Sequence, residues 1–185
     1  MIYVIRHGQT DWNKKKITMG RKDISLNEEG IKQAFVTKEL IDNSDIDLII
    51  CSPLKRTKQT ADIVNIDKNI NILYDKRIME RCLGELEGKE YPDDNNEIWN
   101  ININTSKYYV EPMIDFKNRV YDFIEDIVNK YQDKNILVVT HGGVSALFNC
   151  YFNNSLYDGT ISDKFLKNCS VAQYNIVKEK KYIKQ

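Results

Sequence analysis

The chain predicts an α/β fold, a three-layer sandwich whose mostly parallel central sheet is flanked by helices, with a small cap insertion. Short runs rich in Ile and Val, each followed by polar or glycine residues, recur at Ile2 to Ile5, Leu48 to Ile50 and Ile136 to Val139, as strands buried on both faces do. Helical patterns fill the intervals, and that alternation places a sheet between two helical layers. The length of 185 residues suits one domain spanning 1–185; a chain of this size buries about 70% of its unfolded surface, so it needs neither disulfide nor metal to fold.

Taken in order, Ile2 to Ile5 is the first strand. Asn27 can cap a helix whose apolar positions Ile31, Phe35 (or Ala34) and Leu40 keep a helical period. After the strand at 48–50, Ser52-Pro53 reads as a helix opening, a cap residue followed by proline at the first helical position, and Leu54, Ala61 and Val64 follow. Ile70 to Tyr74 is a weaker strand. Gly84 to Glu111 breaks the rhythm with Gly88, Pro92, an Asp-Asp-Asn-Asn run and the aromatics Tyr91, Trp99, Tyr108 and Tyr109; it reads as a cap over the sheet edge. Pro112 opens a helix with Phe116, Val120, Phe123, Ile127 and Tyr131 on one stripe. Val171 to Val177 alternates as a half-solvated strand, and the Lys-rich end beyond Lys178 reads as a solvated tail.

Lys+Arg and Asp+Glu both number 27. With no basic excess, nonspecific nucleic-acid binding is not expected, and any anion site must be a local concentration of cations. Cys51, Cys82, Cys150 and Cys169 form no C-x-x-C pair, which fits neither a zinc ribbon nor a redox motif and suggests free thiols in a reducing cytoplasm. No signal peptide and no run long enough for a membrane span are read. Oligomeric state leaves no trace in the sequence.

The chemistry gathers at strand ends. The two histidines lie in Arg6-His7-Gly8, after the first strand, and in His141-Gly142-Gly143, after the strand at 136–140. Ligands of open α/β sheets bind at the carboxyl ends of strands. The glycines allow close backbone approach to an anion, and Gly142-Gly143 would open a helix whose free N–H groups attract negative charge. Arg6 ends the first strand, and Arg56 lies one turn into the helix after the second, so both should overhang the same edge; arginine suits bidentate phosphate binding. Zinc would want a third ligand at characteristic spacing, and guanidinium groups would repel it; no metal and no cofactor are expected.

The run Arg6-His7-Gly8-Gln9-Thr10-Asp11-Trp12-Asn13 resembles the signature of the histidine phosphatase superfamily, the phosphoglycerate-mutase-like proteins. The resemblance continues in order through Gly20-Arg21-Lys22-Asp23-Ile24-Ser25-Leu26, Gly30 with Gln33-Ala34, Ser52 to Ala61, Glu80 with Gly84 and Glu87-Gly88, and Val139-Thr140-His141-Gly142-Gly143. It implies that His7 is a nucleophile forming a phosphohistidine, its other ring nitrogen donating to a fixed acceptor such as a backbone carbonyl. Arg6, Arg56 and His141 would hold the phosphoryl oxygens, with Asn13, Gly20 and Gly142 also in the substrate site. Glu80 would protonate the leaving oxygen and later take a proton from the attacking water.

The substrate implied is a small phosphomonoester. Between residues 85 and 111 seven acids face two lysines, a net charge of −5 with no arginine, which would repel a multiply charged substrate. Trp99, Tyr108 or Tyr109 could stack on a neutral or aromatic leaving group, although packing the cap onto the sheet is the plainer role for any one of them. Hydrolysis is therefore expected over phosphoglycerate mutase chemistry, although Arg81 after Glu80 resembles the Glu-Arg pair of the mutases. A non-catalytic phosphate binder is the further alternative, and a pure binder has no use for a nucleophile and an acid.

Overall fold

The computed structural model describes residues 1–41, 45–91, 98–100, 108–155 and 160–176. Five strands form one sheet: β1 (Ile2–Arg6), β2 (Leu48–Cys51), β3 (Ile72–Tyr74), β4 (Ile136–Thr140) and β5 (Val171–Tyr174), in the order β3-β2-β4-β1-β5. The first four are mutually parallel, and β5 closes the sheet antiparallel to β1. The helices are α1 (Asp11–Lys14), α2 (Glu28–Ile41), α3 (Lys55–Val64), α4 (Met113–Lys130) and α5 (Gly142–Phe152).

Alternate strand residues enter two separate cores, and this makes the three layers. Ile2, Val4, Leu48, Ile50, Ile136 and Val138 pack with Phe116, Val120, Phe123 and Ile127 of α4 and Val144, Leu147 and Phe148 of α5. Ile5, Ile49, Cys51, Leu137 and Val139 face the other way, against Ile41 of α2 and Ala61 and Val64 of α3. All five residues of β4 are buried, as expected of a central parallel strand covered on both faces.

Two helices depart from the sequence reading. Asn27 does cap α2, its Oδ1 accepting the Gly30 N–H at 2.9 Å. The buried stripe, however, is Gly30, Ala34, Thr37 and Ile41, whereas Ile31, Phe35 and Leu40 are 38%, 46% and 71% exposed. The cause is a backbone contact. A Cβ on Gly30 would lie 2.1 Å from the Gln9 carbonyl oxygen, and one on Gly8 would lie 2.4 Å from that of Gly30, so α2 turns its small-residue face onto the β1–α1 turn. Thr37 then reaches the Cys169 carbonyl at 2.8 Å.

Helix α3 begins two residues later than Ser52-Pro53 suggests. Leu54 stands at its N-cap with no side-chain bond, and the carboxylate of Asp23 accepts the Lys55 N–H at 2.6 Å. Ser52 serves elsewhere, as described below. The weaker strand is confined to Ile72–Tyr74, and Val177, together with the Lys-rich tail, lies outside the described residues. No described helix is long and apolar enough to cross a membrane.

Candidate active site

Strand pairing brings the two histidines together. In the β1–β4 ladder Arg6 is opposite Thr140, and the His7 N–H continues it by donating to the Thr140 carbonyl at 2.9 Å. His7 and His141 therefore leave neighbouring strands at the same level, and their ring centroids are 5.4 Å apart with an interplanar angle of 61°. His141 is the N-cap of α5, so the first amides of that helix, of which the Gly143 N–H is taken by Glu80, open toward the same point.

A cavity of about 290 Å³ lies over this edge, and Arg6, His7, Asn13, Gly20, Arg56, Glu80 and Gly142 all line it. His141 lies fully buried beside His7. A larger cavity, about 630 Å³, sits between β3 and the C-terminal half of α4. Its Arg77 is paired with Asp75 at 2.8 Å and Asp126 at 2.5 Å, and no histidine lines it. The chemistry selects the smaller one.

His7 Nδ1 is 2.8 Å from the Gly8 carbonyl oxygen. A carbonyl only accepts, so the proton is on Nδ1 and Nε2 keeps its lone pair. Burial, then the charges of Arg56 and Arg6, hold the His7 pKa well below 6.5, and the ring is neutral at pH 7. The same forces, burial first and then Arg56, depress His141, whose Nε2 lies 2.8 Å from the Ser52 hydroxyl.

Both arginines are fixed by main-chain acceptors. Arg6 Nη1 donates to the Leu166 carbonyl at 2.8 Å, and Arg56 donates to the carbonyls of Lys22 and Gly20, each at 2.8 Å. Gly20 adopts φ +49°, a left-handed conformation that glycine takes at no steric cost. Burial lowers the Arg56 pKa to about 10, against the opposing pull of Glu80 and Asp23, so the guanidinium stays charged. Arg6 Nε, Arg56 Nε and His141 Nδ1 are buried with no protein partner. Buried donors are normally satisfied, and an oxyanion between them fits this set. Among the described residues no group of three His, Cys, Asp or Glu side chains is arranged to hold a metal ion.

Glu80 is 8% exposed. One carboxylate oxygen accepts the Arg81 N–H at 2.9 Å, the other the Gly143 N–H at 3.0 Å. Asn13 Oδ1 accepts the Thr10 N–H at 3.1 Å in a capping box at α1, which leaves its amide NH₂ as a donor.

A model of the histidine phosphatase superfamily (branch 1) matches residues 2–185. The chain belongs to that superfamily. This histidine phosphatase is 34% identical over 154 residues to a probable phosphatase of Schizosaccharomyces pombe, covering 82% of the chain and 72% of the relative. It is 34% identical over 148 residues to the uncharacterized phosphatase PhoE of Bacillus subtilis, covering 76% and 71%. The solved alpha-ribazole phosphatase from Shigella flexneri superposes with a TM-score of 0.71 at 30% identity, covering 82% of this chain and 78% of that one.

Several site residues were not read from the sequence. Ser52, taken for a helix cap, holds His141. Asn168 donates to the His7 carbonyl at 2.9 Å, and Thr18, Met19, Leu83, Tyr91 and Phe165 complete the lining. No local pattern marks them, since each acts across a long stretch of chain.

The described residues between 84 and 111 engage their aromatics and acids chiefly in packing and pairing. Trp99 lines the cavity but is packed edge-on against Phe165, 4.8 Å between centroids. Tyr108 and Tyr109 do not line it, and Tyr109 is 77% exposed. Among the described acids two turn inward: Glu87 accepts the N–H groups of Arg21 and Leu83, and Glu111 pairs with Arg21 and Arg119. Asp93, Asp94, Glu97 and Lys107 lie outside the described residues.

Proposed function

We propose that this phosphatase hydrolyses a small phosphomonoester through a phosphohistidine on His7, with no metal ion and no cofactor. The observation that carries the reading is the His7 ring: neutral, proton on Nδ1, its Nε2 free beside His141 and two charged guanidiniums. In the first step the Nε2 lone pair forms the N–P bond as the ester P–O bond breaks, and the departing oxygen takes a proton from the Glu80 carboxyl. In the second, water attacks phosphorus, Glu80 takes its proton, and the N–P bond breaks to return neutral His7 and inorganic phosphate. Arg6, Arg56 and His141 balance the charge on the phosphoryl oxygens throughout, with the Asn13 amide and the Gly142 end of α5 as further donors.

Met19, Leu83, Tyr91, Trp99 and Phe165 also line the cavity, and apolar and aromatic lining of this kind supports an uncharged alcohol or phenol as leaving group rather than a second anionic group. Arg81, the residue shared with the mutase pattern, is fully buried, and its Nε and Nη1 donate to the carbonyls of Glu111 and Ile98. Engaged in this way, it supports hydrolysis over phosphoryl return to a phosphoglycerate. Cys82 and Glu111 pair through their backbones, the Glu111 N–H donating to the Cys82 carbonyl at 2.9 Å, which supports reading 84–111 as a cap inserted in a single domain.

Acid-sensitive, base-stable labelling of the protein by ³²P-substrate, absent from His7→Ala, is the expected result. Steady turnover by His7→Ala would remove the nucleophile from the scheme. Release of phosphate from para-nitrophenyl phosphate in excess EDTA tests metal independence.

A further inference from the structure

The Glu80 carboxylate lines the cavity, but its main chain is held from outside by Arg119 and Arg21, which Glu111 bridges, and none of these three lines the cavity. Arg119, on α4, donates from Nη1 to the carbonyls of Arg77 and Met79 and from Nη2 to that of Glu80 at 3.1 Å. Arg21 donates from Nε to the same Glu80 carbonyl, also at 3.1 Å. Two guanidiniums converging on one oxygen repel each other unless an anion lies with them. Glu111 supplies it. Its Oε1 accepts Arg119 Nε at 2.7 Å, and its Oε2 accepts Arg119 Nη2 at 2.9 Å, Arg21 Nη2 at 3.1 Å and the Cys82 N–H at 3.0 Å.

The Glu111 and Arg119 side chains are only 13% and 18% exposed, so the pair is largely shielded from water, and removing one partner leaves the other's charge uncompensated, at a greater cost than for a surface ion pair. Burial pushes the Glu111 carboxyl up, but its bonds to Arg119, the Arg119 charge, the Cys82 N–H and Arg21 outweigh that and bring it down. The anion persists at pH 7.

We propose that Glu111 and Arg119, with Arg21, are positioning residues for Glu80: they lock the turn of residues 77–82 so that the carboxyl meets the leaving oxygen. The inference rests on the reading of Glu80 as proton donor. One guanidinium takes three carbonyls of that turn, so moving it releases the turn as a unit. The carboxylate, tied only to the Arg81 and Gly143 amides, would then shift with its own backbone.

The test compares kcat/KM, which reports P–O cleavage, for an alkyl phosphate and for para-nitrophenyl phosphate, whose phenolate needs little protonation. Wild type, Glu80→Gln, Glu111→Gln, Arg21→Gln and the double variant Glu80→Gln/Glu111→Gln are measured together. Glu111→Gln is expected to lose about 10- to 100-fold on the alkyl ester and under about 3-fold on the aryl one, part of a general acid's usual contribution. The double variant should be no worse than Glu80→Gln on the alkyl ester, as for residues acting through one group. If Glu80→Gln itself does not discriminate between the esters, the donor assignment fails and the inference falls with it. If Glu80→Gln discriminates but Glu111→Gln and Arg21→Gln lose equally on both esters, or lose nothing, the network is purely structural and the inference alone is overturned. Should Glu111→Gln not fold, Arg21→Gln decides by the same criterion, since the Arg21 side chain is 36% exposed and its loss leaves the core intact.

Discussion

The Ser52 hydroxyl lies 2.8 Å from His141 Nε2, and this contact engages one ring nitrogen of His141 and leaves the other, Nδ1, for the anion site. An anion held at Nδ1, the buried atom that has no protein partner, requires the single proton of the neutral ring there, and Nε2 then accepts from the Ser52 hydroxyl. Ser52 is fixed in turn at the end of β2, its N–H donating to the Val139 carbonyl at 3.0 Å.

Ser52→Ala should therefore free the His141 proton to choose either nitrogen and weaken its hold on the phosphoryl oxygens. Loss of one such donor in a preorganised site costs about 100- to 1,000-fold in kcat, and a freed tautomer should cost less, about 10-fold. Steady-state kinetics on para-nitrophenyl phosphate checks this; unchanged kcat would make the contact incidental.

Gly143→Ala should disable proton donation. The added Cβ would lie 2.6 Å from Glu80 Oε1 and 2.6 Å from Trp99, and overpacking of this kind costs about 1–3 kcal/mol of stability. Thermal melting should show the stability loss, and the activity loss should be larger on alkyl than on aryl phosphates. Equal losses on the two would mean that Glu80 had not moved.

Stability should fall as the medium is acidified below pH 6.5. His7 and His141 both have folded pKa values well below the ordinary 6.5, so the unfolded chain binds more protons in that window. Each histidine then contributes a slope of up to about 1.4 kcal/mol per pH unit, stability rising with pH. Asp75 and Glu111 act in the same direction but only below their ordinary values of 3.8 and 4.5. Denaturant titrations at pH 7.5, 6.5 and 5.5 should show the decline, reduced in His141→Gln; a flat profile would contradict neutral buried rings.

Arg56→Ala should weaken inhibition by inorganic phosphate or vanadate and loosen the 20–22 loop that its two terminal nitrogens hold. Because a buried arginine bonded to carbonyls leaves them unsatisfied when it is removed, a lower melting temperature should accompany the weaker inhibition. Inhibition constants equal to wild type would place Arg56 outside anion binding.

How much of this was legible in the sequence depends on how far each feature reaches along the chain. Arg6, His7, Arg56 and His141 could be placed at one edge because each sits at a strand end or a helix start, and strand ends follow from short apolar runs. The buried face of α2 could not be read, since it is decided by Gly30 against Gln9 rather than by Ile31, Phe35 and Leu40. Ser52 and His141, Asn168 and His7, and Glu111 and Arg21 are 89, 161 and 90 residues apart. Such pairings exist only once the layers have assembled, and no periodicity encodes them. The inward turn of Glu87 and Glu111 is of the same kind: counting charges gave the sign of the cap and not its direction.

Because His7 and His141 leave β1 and β4 at the same level, just past the last pair of the ladder, the separation of the backbones that carry the two imidazoles is set by the spacing between neighbouring strands. Loosening of the outer helices leaves that spacing untouched. Heat inactivation of phosphoryl transfer should then coincide with cooperative melting of the sheet centre instead of preceding it, even in variants whose peripheral helices fray early.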